Sequence, residues 1–145
     1  MSYQEFTGTL MFLNQPSDAS PTGNSGRKML VNKKTASMVC ITLLGVPVWF
    51  DGHGKEKCGI ITKVEIVGKE LKVFGVLSEP KAIQALEESP EEYGMSCEMM
   101  VCYYRKINDE IREMYDFRFS GAAILPKKEA AYRNTYISLI ASQEQ

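Results

Sequence analysis

Two strand-like runs joined by a two-residue link constrain this chain more than any other feature. Cys58 to Val67 and Glu70 to Leu77 flank Gly68-Lys69, and both runs alternate apolar with polar residues. With a side-chain period of two, Ile60, Thr62, Val64 and Ile66 share one face of the first run. Leu71, Val73, Gly75 and Leu77 share one face of the second, while Lys63, Glu65 and Lys72 point the other way. A glycine-containing link between such runs predicts an antiparallel hairpin with one buried face.

The rest of the chain supplies partners for that hairpin. Glu5 to Leu13 reads as a first strand, and Asn14 to Arg27, rich in Ser, Pro, Gly and Asn, as a mobile loop. Asn32 is placed to cap a helix from Lys33 to about Leu44. Its β-branched residues Thr35, Val39, Ile41 and Thr42 leave a strand as the alternative. Val46 to Phe50 is a short strand leading into Asp51-Gly52-His53-Gly54. Ser78-Glu79-Pro80 starts a helix with Ser78 as the cap and Pro80 in the first turn. Its apolar face is Ala82, Ile83, Ala85 and Leu86, and Glu87, Glu88, Glu91 and Glu92 make a solvated acidic end. The helix stops at Ser89-Pro90. A second long hairpin follows, with Ser96 to Ile107 going out, Asn108-Asp109 turning, and Glu110 to Phe117 returning and running on to Pro126. Folded about that turn, Ser96 falls opposite Ser120 or Gly121. Lys127 to Tyr132 reads as a helical turn. This order predicts a mainly β chain of α+β character, an antiparallel β-barrel with peripheral helices, in one domain over residues 1–145.

Composition narrows the function classes. A chain of 145 residues is long enough for one domain with its own core. Its formal net charge of −1 argues against a partner held by phosphate contacts, so no nucleic acid is expected. Ala36 to Phe50, the most apolar run, is broken by Gly45 and Pro47 and is too short to span a bilayer, so no membrane partner is expected either. Met1 to Glu5 lacks the basic-then-apolar pattern of a secretory leader. The four cysteines, Cys40, Cys58, Cys97 and Cys102, form no C-x-x-C pair and suit a reducing compartment.

Chemistry concentrates in two places. Ser96 follows Gly94 at the mouth of a strand, where a hydroxyl is exposed enough to act as a nucleophile. His53, the only histidine in the chain, sits between two glycines that leave its ring accessible. A serine hydroxyl becomes nucleophilic when an imidazole takes its proton, and histidine does so near neutral pH.

In order along the chain, these segments resemble the prohead (capsid maturation) proteases of tailed bacteriophages, which share a fold with the herpesvirus assembly protease. Gly45-Val46-Pro47-Val48 leading to His53, then Gly59 to Glu65, resembles the segment around the catalytic histidine. Glu70 to Leu77 resembles the strand after it, and Gly94-Met95-Ser96-Cys97-Glu98-Met99 the Gly-Val-Ser nucleophile motif. Phe119 to Pro126 resembles the third motif strand, which ends in a proline. The resemblance covers roughly residues 45–132. It implies a barrel of the herpesvirus-protease type and a serine endopeptidase needing no cofactor and no metal. Ser96 would be the nucleophile, His53 the general base, and backbone N–H groups the oxyanion donors. It further implies phage scaffold and major capsid precursors as substrates, self-cleavage, homodimers or higher oligomers, and a place inside the assembling procapsid in the host cytoplasm.

The third catalytic member in that family lies on the strand that here reads Phe119-Ser120-Gly121, as a histidine or often an acid. This chain has no second histidine, and the matching position is Ser120. Asp116 on the same strand, or a Ser–His dyad, are the alternatives, with Glu98 a weaker candidate read as a surface or subunit-contact residue. Two rivals stand beside this reading: a Cys–His hydrolase using Cys97, and a non-catalytic β-barrel structural or interaction protein of the capsid. A metal site of His53, Cys58 and Cys97 has no recognised ligand spacing.

Overall fold

The computed structural model describes residues 3–21 and 24–141. Its strands form a single sheet that curls into a half-barrel, with two short helices packed on it. The strands are β1 (Gln4–Phe12), β2 (Lys28–Leu30), β3 (Pro47–Phe50), β4 (Glu56–Val67), β5 (Glu70–Leu77), β6 (Tyr93–Lys106), β7 (Ile111–Pro126) and β8 (Ile137–Leu139). The helices are α1 (Lys33–Val39), which tightens into a 3-10 turn over Cys40–Leu43, and α2 (Pro80–Glu88). The mainly β expectation holds.

The expected hairpin is the centre of the sheet. β4 and β5 pair antiparallel from Val67↔Glu70 outward, and the sheet extends through β1 to β8 on one side and through β3 to β7 on the other. Gly68 has φ +60, the left-handed conformation that the two-residue link requires. Leu71, Val73 and Leu77 are fully buried, as the alternation on β5 predicts.

The face assigned to β4 needs correction. A β-bulge between Ile61 and Lys63 inserts one residue into that strand. An extra residue inverts the side-chain alternation on either side of it. Ile61 therefore points into the core before the bulge, and Val64 and Ile66 pack against it afterwards, while Cys58 reaches the core at a second irregularity, where β4 pairs with β3. Ile60 and Thr62 are left exposed rather than sharing that inner face.

Helix starts follow side-chain chemistry. Asn32 caps α1, its Oδ1 accepting from the Thr35 amide at 2.8 Å, and Thr35, Ala36 and Val39 face inward. The strand alternative for this segment is not what forms. α2 is capped one residue later than expected. The Ser78 amide donates to Cys58 O at 2.8 Å and so still belongs to the sheet edge, while the Glu79 carboxylate accepts from the Lys81 amide at 3.2 Å. Pro80 takes the first position, where its missing N–H costs nothing. Ala82 and Leu86 are buried, Ile83 and Ala85 half-buried, and the four glutamates at the helix end are exposed.

The second hairpin is longer and less regular. β7 carries β6 along one edge, while β2 and β3 pair parallel to opposite ends of its other edge. The turn spans residues 107–110, because the Asn108 carboxamide accepts from the amides of Glu110 and Ile111 at 2.8 and 3.0 Å. A turn wider than Asn108-Asp109, with register shifts at Glu98/Met99 and further out, moves Ser96 opposite Ala123. The expected pairing with Ser120 or Gly121 is thereby corrected, and Gly121 faces Glu98 instead.

Curling brings β1 against the start of β6. A Cβ on Gly8 would lie 2.6 Å from Met95 Sδ and 2.7 Å from the backbone oxygen of Tyr136, which cannot give way, so a glycine is needed here. The Thr135 hydroxyl accepts from the Met95 amide at 3.0 Å on the same side. Residues 14–21 and 24–27 form no helix or strand. Ser17 Oγ accepts from the Met29 amide at 3.0 Å, and the Asp18 amide donates to Ala131 O at 2.8 Å. The turn after β7 is a 3-10 turn over Lys127–Glu129, and β8 is a strand that the sequence pattern did not announce.

Candidate active site

The loop of residues 51–55 between β3 and β4 carries His53. Asp51, Gly52 and Gly54 have φ of +66, +136 and +69, so the chain reverses through three residues in conformations that L side chains avoid. The Asp51 amide donates to Ile124 O at 2.8 Å and ties this loop to β7. The result is a half-exposed imidazole hung over the start of β6.

There the imidazole meets a carboxylate. His53 Nδ1 lies 2.8 Å from Glu98 Oε2, with side-chain exposures of 35% and 24%. The other carboxylate oxygen, Oε1, accepts from the Trp49 indole N–H at 3.2 Å. Glu98 thus spends one oxygen on each ring and orients both. With Nδ1 engaged, Nε2 is the nitrogen left for proton transfer.

Ser96 lies two residues before Glu98 and therefore on the same face of β6. The exposed position expected for its hydroxyl is corrected: Ser96 is buried, 7% exposed, because the start of β6 is covered on both faces. Ser96, His53 and Glu98 line one groove of about 820 Å³. Ser20, Pro21 and Asn24 also line it, and Met29, Met99 and Met114 give it an apolar lining. Ser96 and His53 share this space with no hydrogen bond between them.

The residues weighed for the third position fall elsewhere. Ser120 is half-buried on β7 beside the register shift that faces the Glu98–Met99 step, and it does not line the groove. Asp116 is exposed and pairs with Tyr103, seven residues along β7 from the Ala123 that faces Ser96. At ~3.3 Å per residue that is about 23 Å away. Glu98, ranked behind both on sequence, is the group at the imidazole.

Burial weighs against Cys97 and Cys58 as nucleophiles. Cys97 lines the same groove but also packs against the hydrophobic core, and burial pushes its thiol up to about 12. Cys58 is fully buried and is pushed up to about 12, also by burial. A reactive cysteine needs the opposite shift, toward the thiolate. Among the described residues no group of three or more His, Cys, Asp or Glu side chains could hold a metal ion.

Sequence reasoning missed Trp49, the role of Glu98, and Gly121. A signal for Glu98 was present, because Ser-x-Glu on a strand puts hydroxyl and carboxylate on one face. The bulge and turn that bring Gly121 opposite Glu98 carry no such signal. No protein-family model and no curated protein matches the chain.

Proposed function

We propose that this protein is a serine endopeptidase of the prohead and herpesvirus assembly-protease type, with its curled sheet a version of that barrel. The observation that carries the reading is a histidine held at Nδ1 by a carboxylate, 2.8 Å away, over a groove that a serine also lines. Ser96 Oγ attacks the scissile carbonyl while His53 Nε2 takes its proton. The same nitrogen then returns the proton to the leaving amine, and water releases the acyl group by the reverse sequence. Glu98 holds the imidazole in the Nδ1–H tautomer and stabilises the imidazolium that forms between the two transfers. No cofactor takes part in these steps. The substrates in this reading are scaffold and major capsid precursors in an assembling phage procapsid, with self-cleavage, and the working species is a homo-oligomer.

Co-expression with capsid and scaffold precursors tests this. Wild type is expected to cut, and Ser96→Ala and His53→Ala, both folded, are expected not to. Persistence of cutting in Ser96→Ala with its loss in Cys97→Ala would transfer the role to the thiol. A second reading, a non-catalytic structural protein of the capsid, draws on the exposed Tyr103, Tyr104, Tyr115 and Ile107 on the far half of the β6–β7 hairpin. It predicts that wild type cuts no precursor.

A further inference from the structure

The His53–Glu98 pair is embedded in a support that the catalytic reading does not by itself require. Trp49 stands on β3, Glu98 on β6, and Gly121 on β7 directly across the ladder from Glu98. Trp49 packs against the patch of Ala123, Leu125 and Ala130, which fixes its ring. Its N–H then holds Glu98 Oε1 at 3.2 Å. Gly121 is where this carboxylate lies: a Cβ at 121 would overlap Glu98 Oε1 and come within 3.3 Å of Trp49 Nε1. Gly121 has an ordinary strand backbone, so its lack of a side chain serves clearance and not a turn. The cross-strand slot at 121 is thus vacated by one strand and filled by a carboxylate from its neighbour.

We propose that Trp49 is a positioning residue for the Ser96–His53 chemistry, acting through Glu98, and that Gly121 is the vacancy that makes this possible. The proposal rests on the serine-protease reading for its kinetic consequence, but not for its geometric one. A carboxylate on a half-exposed strand can rotate freely about its terminal bonds. The indole N–H removes that freedom by engaging the oxygen that His53 does not use, so the imidazole meets a carboxylate of one orientation. A pre-organised support of this kind acts on the transition state and not on substrate binding.

The test uses the full chain and two variants. Trp49→Phe keeps an aromatic ring on the alanine patch and deletes only the donor. Gly121→Ala leaves the donor and blocks the carboxylate. Because His53 is the only histidine, the nitrogen-15 shifts of its imidazole report one residue without assignment ambiguity. Wild type is expected to show the Nδ1–H tautomer in the neutral ring. Both variants are expected to show a mixture with the Nε2–H form, at unchanged global fold by circular dichroism. On a cleavable precursor or peptide, Trp49→Phe is expected to lower kcat by about tenfold with KM within about twofold. Gly121→Ala is expected to lower it further, and Gly121→Ser to fail like alanine. An unchanged tautomer in Trp49→Phe and Gly121→Ala overturns the positioning role, whatever the activity. If wild type cleaves nothing yet its tautomer shifts in both variants, the support stands and the protease reading falls.

Discussion

The two long hairpins of this molecule are built from the same kind of strand and do opposite things. β4–β5 alternates apolar and polar residues around a tight glycine link, and its inner residues Ile61, Leu71, Val73 and Leu77 are all fully buried. β6–β7 carries register shifts near Glu98, Met100 and Tyr103, and its proximal half buries Gly94, Met95 and Ser96 in succession. Three consecutive buried residues cannot come from alternation alone. They occur because Gly8 of β1 approaches Met95 on one face of β6, while Thr135 lies against Gly94 and Ser96 lines the groove. Irregularities interrupt β4 as well, yet the inner row of that hairpin stays buried. The shifts of β6–β7 instead accompany a buried serine, a part-exposed carboxylate and a half-exposed imidazole along one groove.

That contrast makes predictions, since changes in the β6 site should alter activity with little effect on stability, and changes in β4–β5 should do the reverse. The largest effect is expected for Ser96→Ala or His53→Ala, a fall in kcat of roughly 10³-fold or more with the melting temperature nearly preserved. Glu98→Ala is expected to cost about 10² to 10⁴-fold in kcat, because the imidazole loses the partner that sets its tautomer. Steady-state kinetics beside thermal melts would separate the two classes. Leu71→Ala should destabilise the fold by about 2–5 kcal/mol through the cavity it leaves, read by urea unfolding, while the fraction that remains folded keeps wild-type kcat.

Three smaller effects sharpen the comparison. Cys58 and Cys97 lie on the two hairpins, each with its thiol raised from 9.0 to about 12 by burial. The unfolded chain therefore releases these protons while the folded chain keeps them. Their contribution to stability is present below about pH 9 and is lost as pH rises from about 9 toward 12. Urea midpoints should fall across that window, and less steeply in Cys58→Ala. Both thiols should also resist iodoacetamide at pH 8 in the folded protein, and rapid alkylation of Cys97 there would revive the thiol nucleophile. Gly68→Ala, at φ +60, should cost about 1 kcal/mol and leave cleavage unaltered.

Most of the scaffold was legible in the residues because each element carried a local signal. Alternation gave β5, Asn32 gave the start of α1, and Gly68-Lys69 gave the central turn. What sequence could not place was the consequence of single inserted residues. The bulge beside Thr62 exposes Ile60, and the wide turn at 107–110 with the shift near Glu98 sets the register that pairs Gly121 with Glu98. Ser120 was favoured on its position and Glu98 read as a surface or contact residue, whereas it is Glu98 that lies at the imidazole. Ser96 and His53 were singled out without any register, from a glycine-flanked histidine and a serine at a strand mouth, and both line one groove. Their shared groove depends on a long-range closure of the sheet that no local pattern encodes.

The central claim is that Ser96 is a nucleophile activated by His53, and it can be tested without knowing any substrate. The folded protein would be treated with a fluorophosphonate probe, digested, and the adduct located by mass spectrometry. Phosphonylation at Ser96, abolished in His53→Ala and slowed in Glu98→Ala, is the predicted result. A wild-type protein that stays unlabelled at Ser96, or that labels equally well without the histidine, would contradict it.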